Sequence, residues 1–336
     1  MSIDTNIPLL LSIAFILGGL VALAKSADVF VDAAAAIARG FGLSPLIVGM
    51  VIIGFGTSAP ELVVSAIAGA SGHADLSLGN AYGSNIFNIG VILGVTALIW
   101  PIRVKPSVNW FAVPLLLLTS AISWFAVSDG VFERANGIWL LVSFAVLLPV
   151  YCWYDQRTSK PAEAEGGVKQ VGPRRRAGLW DWARLIAGLA VLVASSHIMV
   201  WGCVDFARDV LHVSNLLIGL TIVAAGTSLP ELASSIASAR RGENEFVIGN
   251  IVGSNFFNAL AVVGVAGTIS PFSGFSEFIL SRDLPVMTLF SAMIALFGVN
   301  CKNVKAQGMI TRTEGGIWVA LYAAYLLVMF FQETAG

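Results

Sequence analysis

Apolar residues run along this chain in blocks long enough to cross a hydrocarbon layer, separated by short polar breaks. Several blocks reach 18 residues or more with at most one charge. At 1.5 Å per helical residue, such a block spans a layer about 30 Å thick. The blocks predict helices over residues 8–38, 44–70, 75–100, 108–127 and 136–154, then 180–211, 215–238, 245–270, 284–300 and 314–332. They fall into two sets of five, parted by Asp155 to Leu179, where Pro161, Gly166, Gly167, Pro173 and a run of charges read as a solvated linker. The fold class expected is an all-α polytopic membrane protein with ten transmembrane helices. Residues 1–11 hold no Lys or Arg, so the first block reads as a retained span and not as a cleaved leader.

Composition agrees with that pattern. The chain is 57% apolar and 12% charged, whereas soluble domains carry about 25% charged residues. The net charge of −1 says little, because in a membrane protein the placement of Lys and Arg sets orientation. Fifteen of them (Arg39, Arg103, Lys105, six in the linker, Arg184, Arg240, Arg241, Lys302, Lys305 and Arg312) fall on one side of the expected bundle. Only Arg134, Arg208 and Arg282 fall on the other, with Lys25 inside the first span. The linker is therefore expected to be cytoplasmic and both termini external. Arg174, Arg175 and Arg176 also admit a lipid or calmodulin site. Cys152, Cys203 and Cys301 lack metal-ligand spacing and read as free thiols. Trp100, Trp110, Trp139 and Trp180 sit near expected helix ends as interfacial anchors.

The two halves repeat. Leu46 to Pro101 aligns without a gap on Leu216 to Pro271 at an offset of 170, with 22 of 56 positions identical. Gly56-Thr57-Ser58-Ala59-Pro60-Glu61 matches Gly226-Thr227-Ser228-Leu229-Pro230-Glu231. Gly79-Asn80 through Gly83-Ser84-Asn85-Ile86-Phe87-Asn88 matches Gly249-Asn250 through Gly253-Ser254-Asn255-Phe256-Phe257-Asn258. Copies that start five helices apart face opposite sides of the bilayer, so the repeats are expected to be inverted, a design that puts paired half-sites near the midplane.

Glu61 and Glu231 are then the residues that demand explanation. A charge at mid-bilayer costs about 2.5–3.5 kcal/mol on insertion scales and needs a partner. Each follows a Pro, which removes a backbone donor and clashes with the carbonyl four residues earlier, here Gly56 or Gly226. Loosened carbonyls beside Thr and Ser hydroxyls and a carboxylate make an oxygen-rich pocket suited to a hard cation. Ser84 with Asn88, and Ser254 with Asn258, are spaced i, i+4 and add hydroxyl and amide oxygens from one helix face. Small and hydroxyl residues also serve close helix packing. The doubling of a buried Glu with no base at its depth except Lys25 favours ligation. Ca²⁺ takes six to eight oxygens, which two carboxylates plus neutral donors supply, and soft-metal ligands are absent from the motifs. Asp28 and Asp32 lie near the end of the first helix and are expected to face solvent, and the solitary His197 reads as a packing residue.

With these motifs in view, the chain resembles the calcium/cation antiporter superfamily, and most closely its bacterial sodium/calcium exchanger branch. The doubled G-T-S-x-P-E and G-N-x-x-G-S-N-x-x-N motifs are similar to the superfamily's paired alpha repeats, and the likeness spans the whole layout. The resemblance implies residues 1–154 and 180–336 as two membrane regions joined by a cytoplasmic linker, 155–179, in a plasma membrane, the inner membrane of a bacterium. It implies an ion-binding core from helices 2, 3, 7 and 8, against which helices 1 and 6 slide. It carries ligand roles onto Thr57, Ser58, Glu61, Ser84, Asn88, Thr227, Ser228, Glu231, Ser254 and Asn258, with backbone carbonyls around Gly54 and Ala224. It departs at Asn258, where well-understood exchangers of this family have an aspartate. The function implied is Ca²⁺ extrusion in exchange for Na⁺, with exchange for H⁺ as the alternative. Only the transported ions and the bilayer are expected as partners, with no cofactor and no nucleic acid. An intramembrane enzyme fits less well, since catalysis usually needs an asymmetric nucleophile and base, and a passive channel less well than alternating access.

Overall fold

The computed structural model describes residues 9–158, 177–209, 224–300, 303–304 and 306–335. Residues 159–176 of the expected linker, with Arg174, Arg175 and Arg176, and residues 215–223 of the expected helix 215–238 lie outside these residues, as does Cys301. The described residues are mostly helical: α1 Leu9–Phe41, α2 Pro45–Thr57, α3 Ala59–Ala70, α4 Ala74–Ile99, α5 Val108–Val127, α6 Arg134–Thr158, α7 Leu179–Asp209, α8 Ala224–Thr227, α9 Leu229–Arg240, α10 Asn244–Ile269, α11 Ile279–Gly298 and α12 Arg312–Ala335. Among the described residues, eight helices are long and apolar enough to span a membrane, and α2 with α3, bent by 46°, make a ninth.

The bend falls where the sequence places Ser-x-Pro. Ser58 leaves the helix at φ −83° and ψ 7°, and Pro60 then opens α3, where its missing N–H is tolerated. Ser228 repeats this at φ −92° and ψ 8° ahead of Pro230 and α9. The glycine-rich face of α10 lets α2 come close enough for backbone to touch backbone. A Cβ on Gly253 would lie 2.4 Å from the Met50 carbonyl oxygen, and one on Gly54 would lie 2.9 Å from the Ser254 nitrogen. The apolar stretch of α10 is wholly buried, whereas only 11% of that of α12 is, so α10 is central and α12 peripheral.

The two expected boundaries that move furthest do so for a visible reason. α6 continues to Thr158 and not 154, because Asp155, read as linker, is buried and accepts a hydrogen bond from Ser44 while Tyr154 stacks on Phe111 at 3.8 Å. α11 starts at Ile279 and not 284, because Arg282 and Asp283 pair at 2.7 Å and so lose their cost within a helical turn. The all-helical expectation has one small exception. β1 (Ile102–Val104) pairs with β4 (Gly308–Ile310), and β2 (Val131–Phe132) with β3 (Phe272–Ser273), both antiparallel. Ile102 and Phe272 are related by the same offset of 170, one residue past Pro101 and Pro271. Each half thus clips a strand of the other.

Candidate ion-binding site

All ten side chains singled out in the two motifs are buried, none more than 8% exposed. The helix breaks place the two copies of Ser-x-Pro-Glu face to face, and their hydrogen bonds cross between copies. Ser58 donates to Oε1 of Glu231 at 2.9 Å, and Ser228 donates to Oε1 of Glu61 at 2.9 Å. Oγ of Ser228 also lies 3.3 Å from Oγ of Ser84. Each carboxylate keeps its second oxygen, Oε2, buried and without a partner. Among the described residues neither carboxylate has a basic partner, and Lys25 is exposed on α1. Two buried carboxylates, each with one open oxygen and no counter-charge, have the polarity of a cation site and not of an ion pair.

The neutral residues frame it. Ser254 donates to the carbonyl of Gly54 at 3.3 Å, and Thr57 lies within hydrogen-bonding range of the Ile53 carbonyl at 3.0 Å and of Oδ1 of Asn250 at 3.3 Å. Asn88 and Asn258 each begin a short π-helical stretch, Asn88–Leu93 and Asn258–Val262, the kind of local widening found often at functional sites. Oδ1 of Asn88 and both polar atoms of Asn258 are buried without partners. Ala224 opens α8. The carbonyl of Gly226, expected to be loosened by Pro230, is free of its helix but is taken by Ser196 of α7 at 2.8 Å.

Sequence reasoning passed over a layer behind the site. Asn80 donates to the backbone carbonyl of Glu61 at 3.1 Å and to Ser65 at 2.8 Å, while Asn250 donates to the carbonyl of Glu231 at 3.2 Å and to Ser235 at 2.9 Å. These bonds hold the turn that presents each carboxylate. The signal was present, since Asn80 and Asn250, and Ser65 and Ser235, are identities of the repeat.

Asp32 is exposed, as expected, and Asp28 is partly exposed, but both carry ion pairs. Arg240 meets Asp28 at 2.5 Å, and Arg241 meets Asp28 and Asp32, each at 2.9 Å, so α1 is tied to the end of α9 by an ion-pair cluster. Beside it, burial pushes the Glu243 carboxyl up to about 7, against the pull of Arg241 and Arg39. Cys152 and Cys203 are free thiols, as expected.

Comparison with known proteins agrees with this architecture. The sodium/calcium exchanger protein family matches residues 11–153 and 180–331, and the chain belongs to that family. CaxA of Alkalimonas amylolytica is 38% identical over 96% of this chain and 99% of its own. Inner membrane protein YrbG of Escherichia coli is 36% identical over 93% of this chain and 97% of its own. Among solved structures, the sodium-calcium exchanger NCX_Mj, soaked with zero Na⁺ and Ca²⁺, superposes with a TM-score of 0.79 at 29% identity, over 94% of this chain and 98% of that one. The protein is therefore an integral membrane cation antiporter of the calcium/cation superfamily, in its bacterial branch, and its family is one of exchangers and not of enzymes.

Proposed function

We propose that the chain extrudes Ca²⁺ in exchange for Na⁺, binding either ion between Glu61 and Glu231 and exposing it to one side of the membrane at a time. One observation carries the reading: the reciprocal bonds Ser58 to Glu231 and Ser228 to Glu61, beside which Oε2 of both carboxylates stays buried without a partner. On this reading the ligand shell is Thr57, Ser58, Glu61, Ser84 and Asn88 with Thr227, Ser228, Glu231, Ser254 and Asn258, completed by carbonyls at Gly54 and Ala224. Two inverted five-helix repeats, up to α6 and from α7 on, supply equivalent halves, with the linker between Thr158 and Leu179 on the cytoplasmic side and both termini external. The pair α1 and α7 slides against the core to alternate access. Nothing but the ions is needed as a cofactor.

Proton exchange uses the same two carboxylates, with a proton in place of each Na⁺. Ca²⁺ uptake into vesicles separates the two. An imposed Na⁺ gradient is expected to drive uptake at equal pH on both sides. Uptake driven only by a pH gradient at equal Na⁺ would assign the protein to Ca²⁺/H⁺ exchange instead.

A further inference from the structure

Behind Asn88 and Asn258 lies a pair of asparagines, Asn85 and Asn255, that the proposed ligand shell does not include. They are 2% exposed and identical between the two copies. Each donates to the other's backbone: Nδ2 of Asn85 to the Asn255 carbonyl at 3.0 Å, and Nδ2 of Asn255 to the Asn85 carbonyl at 3.3 Å. An amide's two ends are told apart by what they meet, and a backbone carbonyl only accepts. The crossed bonds therefore fix which end of each amide points inward. With its nitrogen committed to Asn85, Asn255 turns Oδ1 to Asn88 and accepts from its Nδ2 at 3.0 Å. That bond in turn commits the nitrogen of Asn88 and leaves its Oδ1 as the free end, buried and without a partner. In the other half, Oδ1 of Asn85 and both ends of Asn258 are buried and unpartnered. The bond equivalent to Asn88 with Asn255 has its acceptor in place but is not made.

We infer that Asn255 and Asn85 are positioning residues for ion binding: a crossed amide pair, each anchored on the opposite helix, that turns the oxygen ends of Asn88 and Asn258 toward the cation. The inference rests on the proposed cation site. Without the crossed pair, either amide could present its N–H₂ to a cation, which repels it. In the second half-site the open Oδ1 of Asn85 stands as the equivalent acceptor for Asn258.

Calorimetric Ca²⁺ titration of the purified full chain tests this with a double-mutant cycle. Asn255→Leu is expected to weaken Ca²⁺ binding about tenfold, the scale of one lost buried polar contact. Asn88→Ala with Asn255→Leu is expected to bind no more weakly than Asn88→Ala alone, since Asn88, the amide that the Asn255 side chain holds, is already gone. A second tenfold loss in the double variant would make Asn255 a packing residue and overturn the inference. Should Asn255→Leu fail to fold, Asn255→Ala takes its place in the same cycle: it removes both the Nδ2 anchor on the Asn85 carbonyl and the acceptor for Asn88, so the same loss and the same non-additivity with Asn88→Ala are expected, and an additive cycle overturns the inference. An unaltered chain that binds no Ca²⁺ defeats the cation-site reading itself, an outcome distinct from an additive cycle.

Discussion

At the scale of single residues, Glu61 and Glu231 are each fully buried and bonded on one oxygen by a serine of the other copy. On the proposed reading a cation and not a basic side chain supplies their counter-charge, so removing one carboxylate should hurt binding while sparing the empty protein. Losing one partner of a buried charge pair costs about 3–5 kcal/mol, or roughly 100-fold or more in affinity. Glu61→Gln and Glu231→Gln are each expected to lose Ca²⁺ binding on that scale and to lose the thermal shift that Ca²⁺ confers. The ion-free melting temperature should hold or rise, since an uncompensated buried charge is gone. A variant that keeps its Ca²⁺-induced shift would remove its glutamate from the site. Both residues were legible in the sequence, because a repeated charge in an apolar block has few innocent explanations. The amides behind them were not read as functional, although Asn80 and Asn250 stood in the same repeat. Their role lies in bonds to the backbone carbonyls of Glu61 and Glu231, and a one-dimensional pattern carries no such contact.

At the scale of elements, hydropathy placed the helices well and misplaced their ends wherever polar residues found partners. Asp155 extends α6 because Ser44 donates to it, and the Arg282 and Asp283 pair opens α11 a turn early. The ion pairs of Asp28 and Asp32 were not legible in the sequence, since their partners Arg240 and Arg241 lie more than 200 residues away. The glycines of the second motif are likewise ambiguous in sequence, where they suit either packing or flexibility, and the structure assigns Gly253 to packing. A Cβ there would stand 2.4 Å from the Met50 carbonyl oxygen, against backbone that cannot move aside without shifting α2. Gly253→Ala is therefore expected to destabilise the protein by about 1–3 kcal/mol, the usual cost of overpacking. Gly18 on α1 is the control, because a Cβ there meets nothing within 4 Å. Gly18→Ala should leave the melting temperature unchanged or raise it slightly, as alanine is the better helix former by about 1 kcal/mol. Equal effects of the two substitutions would remove the close α2 and α10 contact from the account.

At the scale of the whole molecule, the two halves form one object: each donates a serine to the other's carboxylate, clips a strand of the other, and anchors an amide on the other's backbone. On the proposed reading this unit holds one charge balance. Glu61 and Glu231 supply two negative charges, and position 258, where the resemblance leads one to expect a third carboxyl, is a neutral, buried Asn with both polar atoms open. One Ca²⁺ or two Na⁺ neutralises the site equally. A third Na⁺ would leave an unbalanced charge in a space with no aqueous screening, where the cost rises steeply. Exchange is therefore expected to move no net charge. In proteoliposomes, Ca²⁺ uptake driven by a Na⁺ gradient should run at the same rate whether the membrane potential is clamped at zero or set inside-negative with a potassium ionophore. Restoring the carboxyl with Asn258→Asp should make uptake voltage-sensitive, provided the new carboxyl ionises. Voltage-dependent uptake by the unaltered chain would mean that a charge beyond the two glutamates takes part in the cycle.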